Sequence, residues 1–187
     1  MTITRRSTIA DVAAVVAEAL RDAGFVAVLT GGACATIYSA GAYQSHDLDF
    51  ILRDGGNRKA LDDAMAGAGF ARRHERYVHK STRFYVEFPR GPLSIGDDVE
   101  IRPVELKVAR GRTLALSATD ACRDRLAAFY HWSDRQSLES AIAIARRHRV
   151  RMASIERWSA REGHAEKCAE FRAAVKSKPW RTWRKGA

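Results

Sequence analysis

The spacing of apolar residues changes period several times along the chain, and each change predicts an element. Ile9, Val12, Val16, Ala19 and Leu20 recur at helical spacing. They follow Thr8-Ile9-Ala10-Asp11, a capping box, and Gly24 is the expected stop. Phe25 to Leu29 is a short apolar run that predicts a buried strand, and Gly31-Gly32 turns it into a short helix over about 33–40. From His46 to Leu52 the period is two: Leu48, Phe50 and Leu52 share one face, while Asp47, Asp49 and Ile51 share the other. A helix over 57–67 carries Leu61 and Met65 as its stripe. Strands are expected over 70–79, 83–88 and 104–116, with a turn at Pro89-Arg90-Gly91-Pro92.

From Ser117 onward the pattern is helical. Ser117-Ala118-Thr119-Asp120 reads as a second capping box, and helices are predicted at about 119–131, 134–148, 153–162 and 164–176, before Pro179. The chain therefore divides near 117. Residues 1–117 read as an α+β core built on a small mixed sheet with flanking helices. Residues 118–187 read as a C-terminal helical bundle with a basic tail. About 70 residues bury too little surface to fold alone, so the bundle is expected to pack on the core. Phe129, Tyr130, Trp132 and Trp158 are the expected anchors to the sheet.

Composition adds one asymmetry. The 187 residues are 46% hydrophobic and 29% charged, near the averages of packed domains, and the net charge is +10. Residues 1–100 carry 12 Lys/Arg against 13 Asp/Glu, whereas residues 101–187 carry 20 against 9. The surplus thus lies in the second part, which suggests a polyanionic partner there. Cys34, Cys122 and Cys168 are odd in number and scattered. They give no disulfide framework or zinc spacing, and fit a reducing cytoplasm. No apolar run approaches the ~18 residues of a membrane span. Asp11 and Glu18 interrupt the stretch after Arg5-Arg6, so a secretory signal is not expected.

The candidate chemistry lies between residues 31 and 87. Asp47 and Asp49 project from one face of a strand, where two carboxylates repel unless a cation neutralises them. Hard oxygen ligands of this kind suit Mg²⁺. A solvated strand end would look the same, and Gly31-Gly32 alone could be an ordinary tight turn. Glycines between a strand and a helix N-terminus also let a phosphate approach free N–H groups. A phosphate cradle followed by a carboxylate pair on the next strand makes one coherent phosphoryl-transfer site.

Thr30-Gly31-Gly32-Ala33, followed by Ser45-His46-Asp47-Leu48-Asp49-Phe50, resembles the signature of the nucleotidyltransferase superfamily of polymerase-β-like fold. Within it the sequence looks most like the AbiE-type abortive-infection toxins and their uncharacterised relatives. The motif covers residues 28–52, and the element order extends the likeness more weakly to about 145. The resemblance implies transfer of NMP from an NTP to an acceptor hydroxyl, with two Mg²⁺ ions on Asp47, Asp49 and a third acid, and with Gly31 and Gly32 on the phosphates. Glu87 is the choice for that acid, because Phe84, Val86 and Phe88 form the buried face of its strand; Glu105 is the main rival and Glu100 a weaker one. Family members usually carry Asp here, which leaves metal geometry and activity open.

The resemblance also implies that Arg125 touches NTP phosphates; an ion pair with Asp134 or Asp120 is the alternative. Lys80, Arg83 and His46 are weaker candidates for a phosphate and read rather as solvated strand residues, and Cys34 reads as packing. Arg146, Arg147, Arg149 and Arg151 fit a helix C-terminus that favours cations. Lys176, Lys178, Trp180, Arg181, Trp183, Arg184 and Lys185 interleave charge with aromatic rings, which suits RNA. RNA, plausibly the 3′ end of tRNA, is accordingly the leading acceptor, with a cognate antitoxin as a further expected partner. A protein or small-molecule acceptor, or a catalytically silent RNA-binding or antitoxin-like module, are the competing readings.

Overall fold

The computed structural model describes residues 2–53, 55, 57–109 and 111–177. Its first helix, α1 (Ile9–Asp22), is closed at the N-terminus by the full capping box of Thr8 and Asp11. Then come β1 (Ala27–Thr30), α2 (Gly31–Tyr38), β2 (Asp47–Leu52) and α3 (Arg58–Gly67). Two predicted strands are hairpins. Residues 70–79 fold as β3 (Phe70–Arg73) and β4 (Arg76–His79), with His74 in the left-handed region at the turn. Residues 104–116 fold as β6 (Val104–Val108) and β7 (Gly111–Ala115), with β5 (Tyr85–Glu87) between the two hairpins in sequence. Neither turn carries an Asn-Gly or Asp-Gly pair, so the hairpin signal is weak in the sequence.

The seven strands form one mixed sheet in the order β3-β4-β5-β2-β1-β7-β6. β1 runs parallel to β7 and β2 parallel to β5; the other neighbours are antiparallel. In β2, Leu48 and Phe50 are fully buried while Asp47 and Asp49 are only half-buried. Burying each large apolar side chain contributes about 1.5–3 kcal/mol. A slip of one residue would drive both carboxylates into the core, so the apolar face fixes the register that places the acids.

Four helices complete the chain: α4 (Ala118–Trp132), α5 (Arg135–Arg147), α6 (Met152–Arg161) and α7 (Ala165–Lys176). Ser117 caps α4 and Asp134 caps α5. One continuous apolar core runs from Ile9 in α1 through the sheet to Phe171 in α7. The helical part meets the rest through α2, which packs on α4 and α5. The aromatic anchors are corrected accordingly. Trp158 is buried against Tyr130 inside the helical part, with ring centroids 5.7 Å apart, and Trp132 is 77% exposed. Among the described residues, no helix is long and apolar enough to cross a membrane.

Candidate active site

Thr30, Asp49 and Glu87 stand in one row across β1, β2 and β5: Thr30 pairs with Asp49, and Asp49 with Glu87. Paired residues on neighbouring strands point to the same face, as does Asp47 two residues before Asp49. Asp47, Asp49 and Glu87 can therefore present carboxylate oxygens within 4.8 Å of one another. Burial, with Asp47 and Glu87 close by, pushes the Asp49 carboxyl up to about 7, against the partial relief of Arg125. Ser45 donates its hydroxyl hydrogen bond to Asp47, and Arg76 Nε donates to Glu87 at 2.8 Å.

The rival third acids lie apart in the fold. Glu105 lies on β6 at the far edge of the sheet, with β7 and β1 between it and β2, and pairs with Arg112 at 2.8 Å. Glu100 is exposed in the loop before β6. Only Glu87 joins the aspartates among the described residues.

The glycine turn presses directly on this row. Gly31 has φ +62°, and a Cβ there would collide with the Asp49 carboxylate. A Cβ on Gly32 would stand 2.6 Å from Ser45 Oγ. α2 begins at Gly31 with no side-chain cap, because the Thr30 hydroxyl donates instead to the Asp49 carbonyl at 3.4 Å. Its first N–H groups have no partner within the helix. Cys34, three residues on, is fully buried packing.

A cleft of 320 Å³ opens beside Gly31 and Asp49. Ile51, Pro92, Leu93 and Leu116 give it apolar walls, and Asp124 and Arg125 of α4 close one side. Arg125 is held by Asp124, at 2.9 Å through Nε and 2.7 Å through an Nη. Neither Asp134 nor Asp120 is its partner: Asp134 caps α5 and Asp120 bonds Arg123. Asp124 is the site residue that sequence reading missed. Adjacent helical residues do not face one another, and the sequence points to Asp120 or Asp134 instead; the long Arg125 side chain folds back on Asp124. Lys176 ends α7 in an exposed position. Lys178, Trp180, Arg181, Trp183, Arg184 and Lys185 lie outside the described residues.

No protein-family profile and no curated protein matches the chain. Solved structures do. An antigenic nucleotidyltransferase-like protein from Paracoccidioides brasiliensis superposes with a TM-score of 0.58 at 14% identity, over 95% of this chain and 96% of that one. The chain has a nucleotidyltransferase-like fold. The antibiotic-resistance factor ANT(2'')-Ia is a more distant match, with a TM-score of 0.46 at 15% identity, over 87% of this chain and 88% of that one. Identities this low bear on architecture alone, so the chemistry must come from the site.

Proposed function

We propose that the protein transfers a nucleoside monophosphate from an NTP to an acceptor hydroxyl, with RNA as the acceptor. The observation that carries this reading is the carboxylate trio of Asp47, Asp49 and Glu87 set against an uncapped glycine turn. The trio fits a hard divalent cation: all donors are oxygens, they converge within 4.8 Å, and burial together with mutual repulsion pushes the Asp49 carboxyl up, a penalty that a cation would relieve. Mg²⁺ held there would neutralise phosphate charge and favour ionisation of the acceptor hydroxyl.

The chain's own groups do the rest by positioning. The N–H groups of Gly31 and Gly32 receive phosphate oxygens at the positive end of α2. Arg125, fixed by Asp124, adds a charge with little freedom left to lose. The apolar walls of the cleft cover the nucleoside and exclude water. Ser45 and Arg76 hold Asp47 and Glu87 in place.

RNA as acceptor is supported by the +10 net charge and its concentration beyond residue 100. The likeness of residues 28–52 to AbiE-type toxins supports the same acceptor, and with it the tRNA 3′ end and a cognate antitoxin. A second reading, a silent RNA-binding module, is favoured by the Arg76–Glu87 pair, which already supplies one positive charge to the trio.

The test is incubation of the protein with Mg²⁺, α-labelled NTPs and an RNA pool. Label is expected to enter RNA with release of pyrophosphate, and Asp49→Asn is expected to lower transfer about 1000-fold. Equal transfer by Asp49→Asn and wild type would overturn the site. A silent module would bind RNA in calorimetry and leave Mg-NTP unbound.

A further inference from the structure

A second and larger cleft, of 840 Å³, opens on the Asp47 side of the carboxylate trio. Four cations line it: Arg5 and Arg6 from the turn before α1, and Lys80 and Arg83 from the turn between β4 and β5. No carboxylate lines it, and none of the four forms a salt bridge among the described residues. This is not a consequence of composition, since residues 1–100 hold more acids than bases. The fold has brought two remote turns together and left their charge unpaired. Hydroxyls of Ser7, Ser81 and Thr82 stand among the cations, while that of Thr8 is committed to Asp11 in the capping box.

The cleft also communicates with the trio. Ser45 lines it and donates to Asp47. Thr36, a second lining residue, accepts from the Ser45 N–H at 3.0 Å and donates to the Gly32 carbonyl at 2.9 Å. A ligand in the cleft is thus one side chain away from the carboxylates and from the glycine turn.

We infer that this cleft seats the phosphodiester backbone of a single-stranded RNA acceptor, next to the hydroxyl that reacts. The inference rests on the transferase reading for its geometry, but not for its test. The triphosphate of an NTP already has partners in the α2 N–H groups, Arg125 and the cation expected on the trio. Four further unpaired charges exceed what that tail can use. A strand with a phosphate at every nucleotide can use them all, because basic grooves track the backbone while hydroxyls donate to phosphate oxygens. The buried Phe84 ring floors the cleft beneath Arg83, whose guanidinium lies 5.3 Å from its centroid.

The experiment compares the full chain with the quadruple variant Arg5→Ala, Arg6→Ala, Lys80→Ala, Arg83→Ala. Affinity for a fluorescent oligoadenylate is measured against salt without Mg²⁺ or NTP, and Mg-ATP binding is measured by calorimetry. All four side chains are exposed, so the fold is expected to survive; an equal melting temperature checks it. The expected result is a large loss of oligonucleotide affinity. The log–log salt slope should shrink by roughly 0.7 for each phosphate contact removed, about 3 in all, with Mg-ATP binding unchanged. The charge-keeping set Arg5→Lys, Arg6→Lys, Arg83→Lys should restore most of the affinity and slope. An unchanged slope in the alanine variant overturns the inference. So does loss of Mg-ATP binding with oligonucleotide binding intact, which would assign the cleft to the NTP tail. Because oligonucleotide binding needs no catalysis, an inactive trio leaves this result readable, and an empty cleft leaves the transferase assay readable.

Discussion

Two clusters of charge are built into this fold, and they are balanced in opposite ways. At Asp47, Asp49 and Glu87 the half-buried carboxylates face one another, with Arg76 on Glu87 as the bonded cation. At Asp98 and Asp120 two carboxylates close on Arg123, which is 5% exposed and bonds Asp120 at 3.0 Å. The Arg123 guanidinium also lies 5.0 Å from the Trp158 ring centroid. The hydrogen bond from Arg123 holds the Asp98 carboxyl below the usual carboxylate range, whereas burial and like charge push Asp49 above it. In the second cluster Arg123, with Arg161 4.0 Å from Asp98, balances both carboxylates, although Arg123 Nε has no partner among the described residues, and the cluster ties the loop before β6 to α4 and α6. The first, with three carboxylates against one bonded arginine, keeps an excess of negative charge that a proton reduces and a divalent cation cancels. A cluster that lacks its counter-charge is where a ligand is expected; one that has it serves the fold.

The sharpest way to break this contrast is to remove the cation from the balanced cluster. Arg123→Ala leaves Asp98 and Asp120 beside a buried void, and unpairing a buried ion costs about 3–5 kcal/mol. For a chain of this length that lowers the melting temperature by about 10 °C. Once folded, the variant should still bind Mg-NTP, because Arg123 does not line the cleft beside Asp49. A melting temperature within a degree of wild type would show that the pair contributes nothing.

The unbalanced cluster predicts the opposite sign. Asp49 has a folded pKa of about 7, above its ordinary value near 4. Between those values the folded chain holds a proton that the unfolded chain has released, so stability falls as pH rises through this window. Asp49→Asn removes the penalty. The variant should match wild type at pH 4 and exceed it at pH 8 by about 2 kcal/mol, after discounting for solvent at a half-buried site. Added Mg²⁺ should raise the wild-type melting temperature at pH 8 much more than at pH 5, and leave the variant unmoved. Thermal melts at both pH values decide this. If the difference between variant and wild type is the same at both, neither burial nor its neighbours raise the Asp49 carboxyl.

Much of this is legible in the sequence. The period of two in β2 fixed which face carries Asp47 and Asp49, and the capping boxes placed α1 and α4. Other features depended on pairing between distant strands, which local pattern does not contain. Residues 70–79 and 104–116 each have enough strand character for one long element, and only tertiary pairing folds them into hairpins. Trp132 was expected in the core on hydrophobicity alone, yet it is the last residue of α4 and projects into solvent. Arg5, Arg6, Lys80 and Arg83 are unremarkable singly, and their shared cleft exists only because the sheet brings two turns together.

The smallest predicted effect concerns an acid that sequence could not separate from Glu87. Glu105 and Glu87 both sit on strands and both bond an arginine at 2.8 Å. They differ in their neighbours: Glu87 stands beside Asp49 in the register, while Glu105 stands opposite Leu114 on an edge hairpin. Its pair with Arg112 is more than half exposed, and such pairs contribute about 0.2–1 kcal/mol at most. Glu105→Gln should therefore shift the melting temperature by no more than about 4 °C, and leave nucleotide transfer at the wild-type rate. A fall in transfer comparable with that of Asp49→Asn would move the third acid from Glu87 to Glu105, and with it would go the row of paired strands on which the site is built.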